Sequence, residues 1–480
     1  MQRTGEDVTV AALEIATADE FQQEERMTGT TVAGKNVSVI GAARSGVAVA
    51  ELLQSRGARV FVSDSGPKEK LSASLQALDA LGVSYEAGGH SDRLYDADIV
   101  VLSPGVPSEA PPVREALRRN IAVVSEIEAA SWFCPAPIIA ITGTNGKTTT
   151  ATLVGRMLHD DKRKHVVAGN IGTAFAGVVG ELDADSVAVL EVSSFQLDHV
   201  RTFRPHVSVI LNVTPDHLDR YGGSFDRYAE SKMRIMERQT SDDVVLYNAD
   251  DEMVVRMMAR FAHLPVKAVP FGLALRGGNG AGIDNGVLVT VVDGRRHSIV
   301  RTEEMSLRGI HNQYNAMAAT LAAQLVGVRP ASLRATLRNF KGVEHRLEFV
   351  RELDGVKFVN DSKATNVDSV WYALQSFREP LVLLLGGRDK GNDYARIADL
   401  VRAHVSAIIA IGESADKVAS SFTGVVPVRV ARSMQEAILC ARQTAKRGDV
   451  VLLSPACASF DWFDNYEHRG RVFKELVLSL

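Results

Sequence analysis

The stretch Gly143-Thr144-Asn145-Gly146-Lys147-Thr148-Thr149 has the make-up of a phosphate-binding loop, because it joins an apolar run at 137–142 to a helical pattern at 150–158. Glycines let successive backbone N–H groups turn inward at phosphate oxygens. The Lys147 ammonium and the positive end of the helix add charge there, and the Thr148 hydroxyl can ligate a divalent cation. The strict Walker spacing asks for glycine at position 141, where this chain has Ile141, so the loop is a variant of the common form. The competing reading is a glycine turn before a helix with a solvated lysine; the flanking strand and helix favour phosphate.

Downstream lie Glu191-Val192-Ser193-Ser194-Phe195-Gln196, then Asn212 to Arg220, then Ser231-Lys232. Glu191 closes the apolar run 187–190, so its carboxylate should emerge at a sheet end, where hard oxygen ligands from Glu191, Thr148 and phosphate suit Mg²⁺. An ordinary exposed glutamate is the alternative. His217 alone reads as a satisfied polar residue and Lys232 alone as a solvated helix charge.

These groups need a scaffold, and 480 residues exceed what one core serves, so two to three domains are expected. Apolar residues at 46% and charged residues at 23% are ordinary globular values, and no run has the length of a membrane span. Lys plus Arg (54) nearly balance Asp plus Glu (58), against nucleic-acid binding driven by net charge. Cys134, Cys440 and Cys457 are far apart and form no CxxC, which fits a reducing cytoplasm and neither disulfides nor zinc. Residues 1–26 carry two arginines against seven acidic residues and lack the pattern of a secretory signal. They read as an acidic extension, 1–27.

The remainder divides into 28–133, 134–342 and 343–480, with Cys134-Pro135-Ala136-Pro137 as the linker into the middle part. In the first part strands at 37–41, 59–64 and 98–102 alternate with a helix over 47–56, predicting a Rossmann-like parallel sheet. The loop Gly41-Ala42-Ala43-Arg44-Ser45-Gly46 departs from the dinucleotide fingerprint at Ala43; Asp64 either accepts a ribose or base hydrogen bond or caps a turn. The middle part predicts a P-loop ATPase-like, mostly parallel sheet. Its glycine-dense 276–286 reads as the exposed loop of a β-hairpin. The third part alternates strands at 356–360, 381–385, 407–411 and 450–454 with helices such as 367–377, a second Rossmann-like α/β domain whose ligands belong at the strand ends.

Together the loop 143–149, Glu191 to Gln196, Asn212 to Arg220 and His311-Asn312-Gln313-Tyr314-Asn315-Ala316 resemble the Mur ligase family, ATP-dependent amide-forming enzymes of peptidoglycan synthesis, over nearly everything from Thr28 onward. Asn360-Asp361-Ser362-Lys363-Ala364-Thr365-Asn366 and Leu453 to Asp461 resemble the family member that adds D-glutamate to UDP-N-acetylmuramoyl-L-alanine, while the DNPR-type motif of the diaminopimelate- or lysine-adding relative is absent.

The resemblance implies ATP as substrate, held by Gly143, Thr144, Asn145, Gly146, Lys147, Thr148, Thr149, Asn312, Asn315, Arg346 and Asp361, with Lys147 on the β/γ-phosphates. It implies two Mg²⁺ ions, one on Thr148 and Glu191, the other on His217 and a carbamylated Lys232; carbamylation would turn a repelling ammonium into an anionic oxygen ligand. Lys147, His217 and Lys232 are the implied catalytic residues. The UDP substrate would meet Ser45, Asp64, Ser65, Ser103, Gly105, Asn170, Ser193 and Gln196; Gly66 stands where a relative has a basic residue, and Arg44 can supply that charge. D-Glutamate would meet Thr365, Lys390, Ser459 and the backbone near Tyr466, where the family commonly has phenylalanine. Cys457 beside Ser459 reads as a small buried residue rather than a nucleophile. A cytoplasmic monomer is implied, closing its domains to exclude water. The rivals are another Mur ligase, a folylpolyglutamate synthetase, or a P-loop regulator without ligase activity, which leaves Glu191, His217 and Lys232 without a role.

Overall fold

The computed structural model describes residues 32–170, 172–275, 277–340, 342–389 and 391–480. The acidic segment 1–27 and Lys390 lie outside the described residues. Among the described residues three sheets account for the strands, so the α/β class read from the sequence holds in each part. Among the described residues no helix is long and apolar enough to cross a membrane. The chain gathers into two compact units. The first reaches Cys134 and takes in Ala174–Glu181 and Asp198–Phe203; the second holds the rest to Leu480.

In the first unit, β1 (Asn36–Ile40), β2 (Arg59–Asp64), β3 (Ser84–Ala87), β4 (Ile99–Leu102) and β5 (Ala122–Ser125) form a parallel sheet in the order β3-β2-β1-β4-β5. The order reverses between β1 and β4, the place where doubly wound sheets open a ligand crevice. The helix expected from position 47 begins earlier, spanning Arg44–Ser55, so Arg44 and Ser45 sit in its first turn. Gly46 is fixed by packing: a Cβ there would lie 1.8 Å from the Gly41 carbonyl oxygen.

A short helix, Glu126–Ser131, follows β5, capped by the Ser125 hydroxyl. Burial pushes the Glu126 carboxyl up to about 7, against the lowering pull of the Ala176 and Phe175 backbone N–H groups. Its Oε2 is buried without a hydrogen-bond partner, as suits a protonated oxygen lacking an acceptor. The folded chain therefore holds a proton that the unfolded chain releases near pH 4.5. Stability is fully present below that pH and falls as pH rises toward about 7. Glu126→Gln is expected to flatten this part of the pH profile, read as the urea midpoint between about pH 5 and 8; an unchanged slope would contradict the assignment.

The second unit begins with a sheet of β6 (Ile138–Thr142), β7 (His165–Gly169), β8 (Val187–Glu191), β9 (Val207–Ile210), β10 (Val244–Asn248), β11 (Lys267–Ala274), β12 (Gly280–Asp284), β13 (Val287–Val292) and β14 (Arg295–Arg301), in the order β14-β13-β12-β11-β10-β9-β6-β8-β7. Among the described residues, only the β12-β13-β14 pairings of this sheet are antiparallel. The continuous apolar runs of β6, β8 and β9 are buried throughout, as parallel strands covered on both faces must be. Within the expected exposed loop 276–286, residues 280–284 are instead a strand, and Asn285-Gly286 turn into the next. Glycine serves close backbone approach here, since a Cβ on Gly280 would lie 2.6 Å from the Pro270 carbonyl oxygen and one on Gly282 2.5 Å from the Leu275 backbone.

The third sheet, β15 (Glu348–Leu353), β16 (Val356–Asn360), β17 (Leu381–Gly386), β18 (Val405–Ile411), β19 (Val428–Val430) and β20 (Val450–Leu453), runs in the order β15-β16-β20-β17-β18-β19 and is parallel except for β15. Leu381, Leu383 and Leu385 enter one apolar cluster while Val382 and Leu384 enter another, so helices cover both faces. Each such leucine contributes roughly 1.5–3 kcal/mol by leaving water.

Candidate functional site

The glycine loop 143–147 is built by two segments some 70 residues apart. Gly143 turns at φ 152° and Gly146 at φ 88°, conformations that L side chains rarely adopt. Thr144 donates its N–H to the Asn212 carbonyl at 2.9 Å, and Asn145 donates its N–H to the Asn212 side-chain oxygen at 2.8 Å. The Asn212 amide returns a bond to the Asn145 carbonyl at 2.9 Å, and Thr214 donates its N–H to the Thr144 hydroxyl. The motif following β9 thus acts as the frame of the loop following β6.

The helix behind the loop spans Lys147–Asp160 rather than starting at 150, so Lys147, Thr148 and Thr149 supply its first-turn N–H groups. Lys147 Nζ donates to the Gly143 and Thr144 carbonyls at 2.8 and 2.9 Å. Burial lowers the Lys147 pKa, opposed by Glu191 and Asp216 and reinforced by Arg346. A Cβ on Gly146 would lie 2.3 Å from the Asn315 side-chain oxygen, in addition to the strained φ. Gly146→Ala is therefore expected to cut ATP-dependent phosphate release by about 100-fold or more while thermal melting still reports a folded chain; near-normal release would show that the loop geometry is not required.

Glu191 ends β8 buried, and its Oε2 accepts from the Thr148 hydroxyl at 2.6 Å. Two hard oxygens are paired, and Lys363 Nζ donates to the same Thr148 hydroxyl, so a positive group already sits at this oxygen cluster. The donor set fits a divalent cation such as Mg²⁺. Asn170 is next to this point, its N–H bonded to the Glu191 carbonyl at 2.9 Å. Ser193 donates its N–H to the Gln196 side-chain oxygen at 3.0 Å, and Gln196 Nε2 is buried without a partner.

His217 adopts φ 51°, donates its N–H to Asp216 Oδ1 at 2.9 Å, and presents its ring edge-on to Phe195 with centroids 6.3 Å apart. Lys232 is 1% exposed; its Nζ donates to the Gly143 carbonyl at 3.1 Å and lies 4.4 Å from the centre of the Tyr228 ring. Taken alone Lys232 reads as a solvated helix charge, yet it is buried against the loop at Gly143.

The stretch after β16 reaches this loop at two points and its frame after β9 at a third. Besides Lys363 on Thr148, Asn366 Nδ2 donates to Asp216 Oδ2 at 3.1 Å and the Ser369 hydroxyl donates to the Asn145 side-chain oxygen at 3.0 Å. Burial pulls Lys363 down to about 8, opposed by Glu191 and reinforced by Arg346 and Lys147. Asp361 is buried, its carboxyl accepting from the Ser454 hydroxyl at 2.8 Å and the Leu347 N–H at 3.2 Å; burial pushes it up to about 6 despite the Arg346 charge. Lys363, Asn366 and Ser369 had no individual role in the sequence reading, although the first two lie inside the quoted Asn360–Asn366 motif.

A cavity of about 130 Å³ opens beside Gly146, lined by Asn248, Asp251, His311, Asn315, Arg346 and Tyr372. Burial and Arg346 drive the His311 pKa down to about 3, leaving a neutral ring against Tyr372. Asn312 accepts from Asn315 at 3.2 Å and donates to the Arg308 carbonyl. A second cavity, about 590 Å³, is lined by His217, Thr365, Asn366, Asp368, Asn392 and Arg396.

Buried Arg469 gathers the remaining residues: its guanidinium donates to the Ser362 hydroxyl and carbonyl at 3.0 and 2.7 Å and to the Cys457 carbonyl at 3.1 Å, two residues before Ser459. Tyr466 opens the helix Tyr466–Leu478; its carbonyl accepts from the Ser362 hydroxyl, and its ring centre is 5.3 Å from the Lys363 ammonium. Ser459 is buried. Burial raises the Cys457 thiol, whose neighbours are Tyr394, Ser414 and Asn392, in keeping with the non-nucleophilic reading.

Within the first unit, Asp64 accepts the Ala42 N–H at 2.7 Å and the Gly66 N–H at 2.6 Å, so it does cap a turn, and it ties that turn to the glycine loop. The Ser103 hydroxyl donates to the Gly41 carbonyl at 2.9 Å. Ser45 is half-buried, while Arg44, Ser65 and Gly105 are exposed.

Comparison with known proteins gives the family. Residues 36–111 match the MurD N-terminal domain, 141–323 the Mur ligase middle domain, and 345–457 the Mur ligase, glutamate ligase domain. The UDP-N-acetylmuramoylalanine--D-glutamate ligase of Salinibacter ruber is 49% identical over 463 residues, covering 95% of this chain and all of that protein. The chain belongs to the Mur ligase family. The ligase of the same name from Chloroherpeton thalassium is 45% identical, again over 95% of this chain. Among solved structures, a pseudomurein peptide ligase type C from Methanothermus fervidus (TM-score 0.59, 21% identity, 93% of this chain and 100% of that one) and MurF from Acinetobacter baumannii (TM-score 0.57, 19% identity, 88% and 91%) share the fold. For a Mur ligase, ATP-dependent ligation follows from the family.

Proposed function

We infer that this Mur ligase adds D-glutamate to UDP-N-acetylmuramoyl-L-alanine at the expense of ATP, in peptidoglycan precursor synthesis. The observation that carries the reading is the full-length similarity to D-glutamate ligases, joined to a phosphate loop on which Glu191, Lys232 and Lys363 converge.

The proposed course starts with an L-alanyl carboxylate oxygen attacking the γ-phosphorus of ATP, forming an acyl phosphate and releasing ADP. The amine of D-glutamate then attacks the acyl carbon, and the C–O bond to phosphate breaks to leave the amide. Lys147 and the first-turn N–H groups of helix Lys147–Asp160 would bear on the transferred phosphoryl group, where preorganised donors stabilise developing charge. Asn312, Asn315, Arg346 and Asp361 are proposed around the nucleotide, an assignment supported by the cavity beside Gly146. Thr148 and Glu191 would hold one Mg²⁺, and His217 with carbamylated Lys232 a second; such ions supply Lewis-acid stabilisation of phosphate charge. Thr365, Lys390, Ser459 and Tyr466 are proposed for D-glutamate, and Ser45, Asp64, Ser65, Ser103, Gly105, Asn170, Ser193 and Gln196 for the UDP substrate. The orphaned Gln196 amide supports the last. ATP and a UDP-linked substrate point to work in the cytoplasm.

Isotope transfer tests the acyl phosphate. With ¹⁸O in the alanyl carboxylate, one labelled oxygen is expected in the phosphate released; unlabelled phosphate would exclude the intermediate.

A further inference from the structure

Glu126 and Glu128 lie two residues apart on the helix Glu126–Ser131, and each is fully buried and holds a different distant segment of chain. Glu128 accepts five hydrogen bonds: Oε2 from the N–H groups of Arg201 and Phe203 at 3.0 and 2.8 Å, and Oε1 from the Thr202 N–H at 2.9 Å, the Thr202 hydroxyl at 2.5 Å and the Trp132 indole at 3.0 Å. Three successive backbone N–H groups thus converge on one carboxylate, an arrangement only an acceptor on both oxygens can satisfy. The same segment is fixed twice more, by the Ser125 N–H on the His199 carbonyl at 2.8 Å and by a His199–Ser108 side-chain bond at 2.8 Å. Glu126 Oε1 accepts from the Ala176 N–H at 2.7 Å.

The two captured segments, Ala174–Glu181 and Asp198–Phe203, are the ones that join the first compact unit although their neighbours in sequence belong to the second. Arg201, the first residue bonded to Glu128, lies five residues beyond Gln196, and Ala176, bonded to Glu126, lies six beyond Asn170. We propose that Glu128, assisted by Glu126, is a positioning residue of the ligase reaction: the pair anchors the chain five residues beyond Gln196 and six beyond Asn170, the residues assigned above to the nucleotide-sugar substrate. The inference rests on that assignment. Neither glutamate touches a reacting atom, so its effect should fall on binding of the UDP substrate rather than on ATP or on the chemical step.

Glu128→Gln keeps the shape but puts an amide donor against N–H donors, and Glu128→Asp keeps the charge with a shorter reach. The full-length protein would be assayed with UDP-N-acetylmuramoyl-L-alanine, ATP and D-glutamate varied in turn, alongside hydrogen exchange of the 201–203 amides. For Glu128→Gln the expected result is about a tenfold rise in KM for the UDP substrate, from loss of at least one charge-assisted bond. The KM for ATP should stay within about twofold, exchange at 201–203 should be faster, and Glu128→Asp should fall between wild type and Glu128→Gln. A UDP-substrate KM unchanged while exchange accelerates would overturn the proposal, as would a uniform change in all three KM values or a kcat loss matched by loss of folded protein. A wild-type enzyme without UDP-substrate-dependent ADP formation would instead fail the functional reading itself, and the proposal with it.

Discussion

Lys147→Ala is expected to lose ATP-dependent phosphate release by about 100-fold or more, the scale of removing a preorganised charge from a developing phosphoryl anion. The side chain is half-buried and bonded to the two carbonyls of its own loop, so its removal takes away charge and also the strap that closes residues 143–147. Lys147→Arg would keep the charge without the geometry, because a planar fork does not fit two carbonyls four and three residues back on a tight turn. Both variants should melt close to wild type, since the loop is independently framed by Asn212. Steady-state phosphate release with all substrates saturating is the check; turnover in Lys147→Ala within about tenfold of wild type would show that the loop does not carry the phosphoryl chemistry.

Lys232→Ala should be equally severe, for a different reason. Lys232 is buried under the Gly143 carbonyl and against Tyr228, and a carbamate on its Nζ would put anionic oxygens there in place of a cation. If the working form is a carbamate, Lys232→Arg must fail as badly as Lys232→Ala, because arginine restores the cation but not the anionic oxygens. If the cation is what matters, Lys232→Arg retains activity. Turnover of the two variants side by side, together with ¹³C-carbonate labelling of the wild type read by NMR, separates the two; an active Lys232→Arg or an absent carbamate signal would remove the second metal site from the account.

The α/β order, the strand–glycine turn–helix around 143–149 and the place of Glu191 at a strand end were legible because each is a local pattern in which an apolar run, a turn and a helix follow one another in sequence. What could not be read were contacts made across the fold. Lys363 lies 215 residues from the Thr148 hydroxyl it meets, and Arg469 gathers Ser362 and Cys457 from inside a helix whose sequence shows nothing unusual. Residues 280–284 were misread for the opposite reason. Glycine there signals a turn by local propensity, but the neighbouring backbone of Pro270 and Leu275 leaves no room for a Cβ in the strand. Asp64 shows a pattern that local reading could only leave open: the turn cap proved real, and it also fixes the glycine loop through Ala42.

The most direct measurement is phosphate release from ATP and Mg²⁺ with UDP-N-acetylmuramoyl-L-alanine, comparing D-glutamate, L-glutamate, L-lysine, meso-diaminopimelate and no amino acid. Release confined to D-glutamate is the predicted result. Release driven by a different amino acid would keep the ligase chemistry and overturn the reading of the third domain, and no release with any of them would contradict the account as a whole.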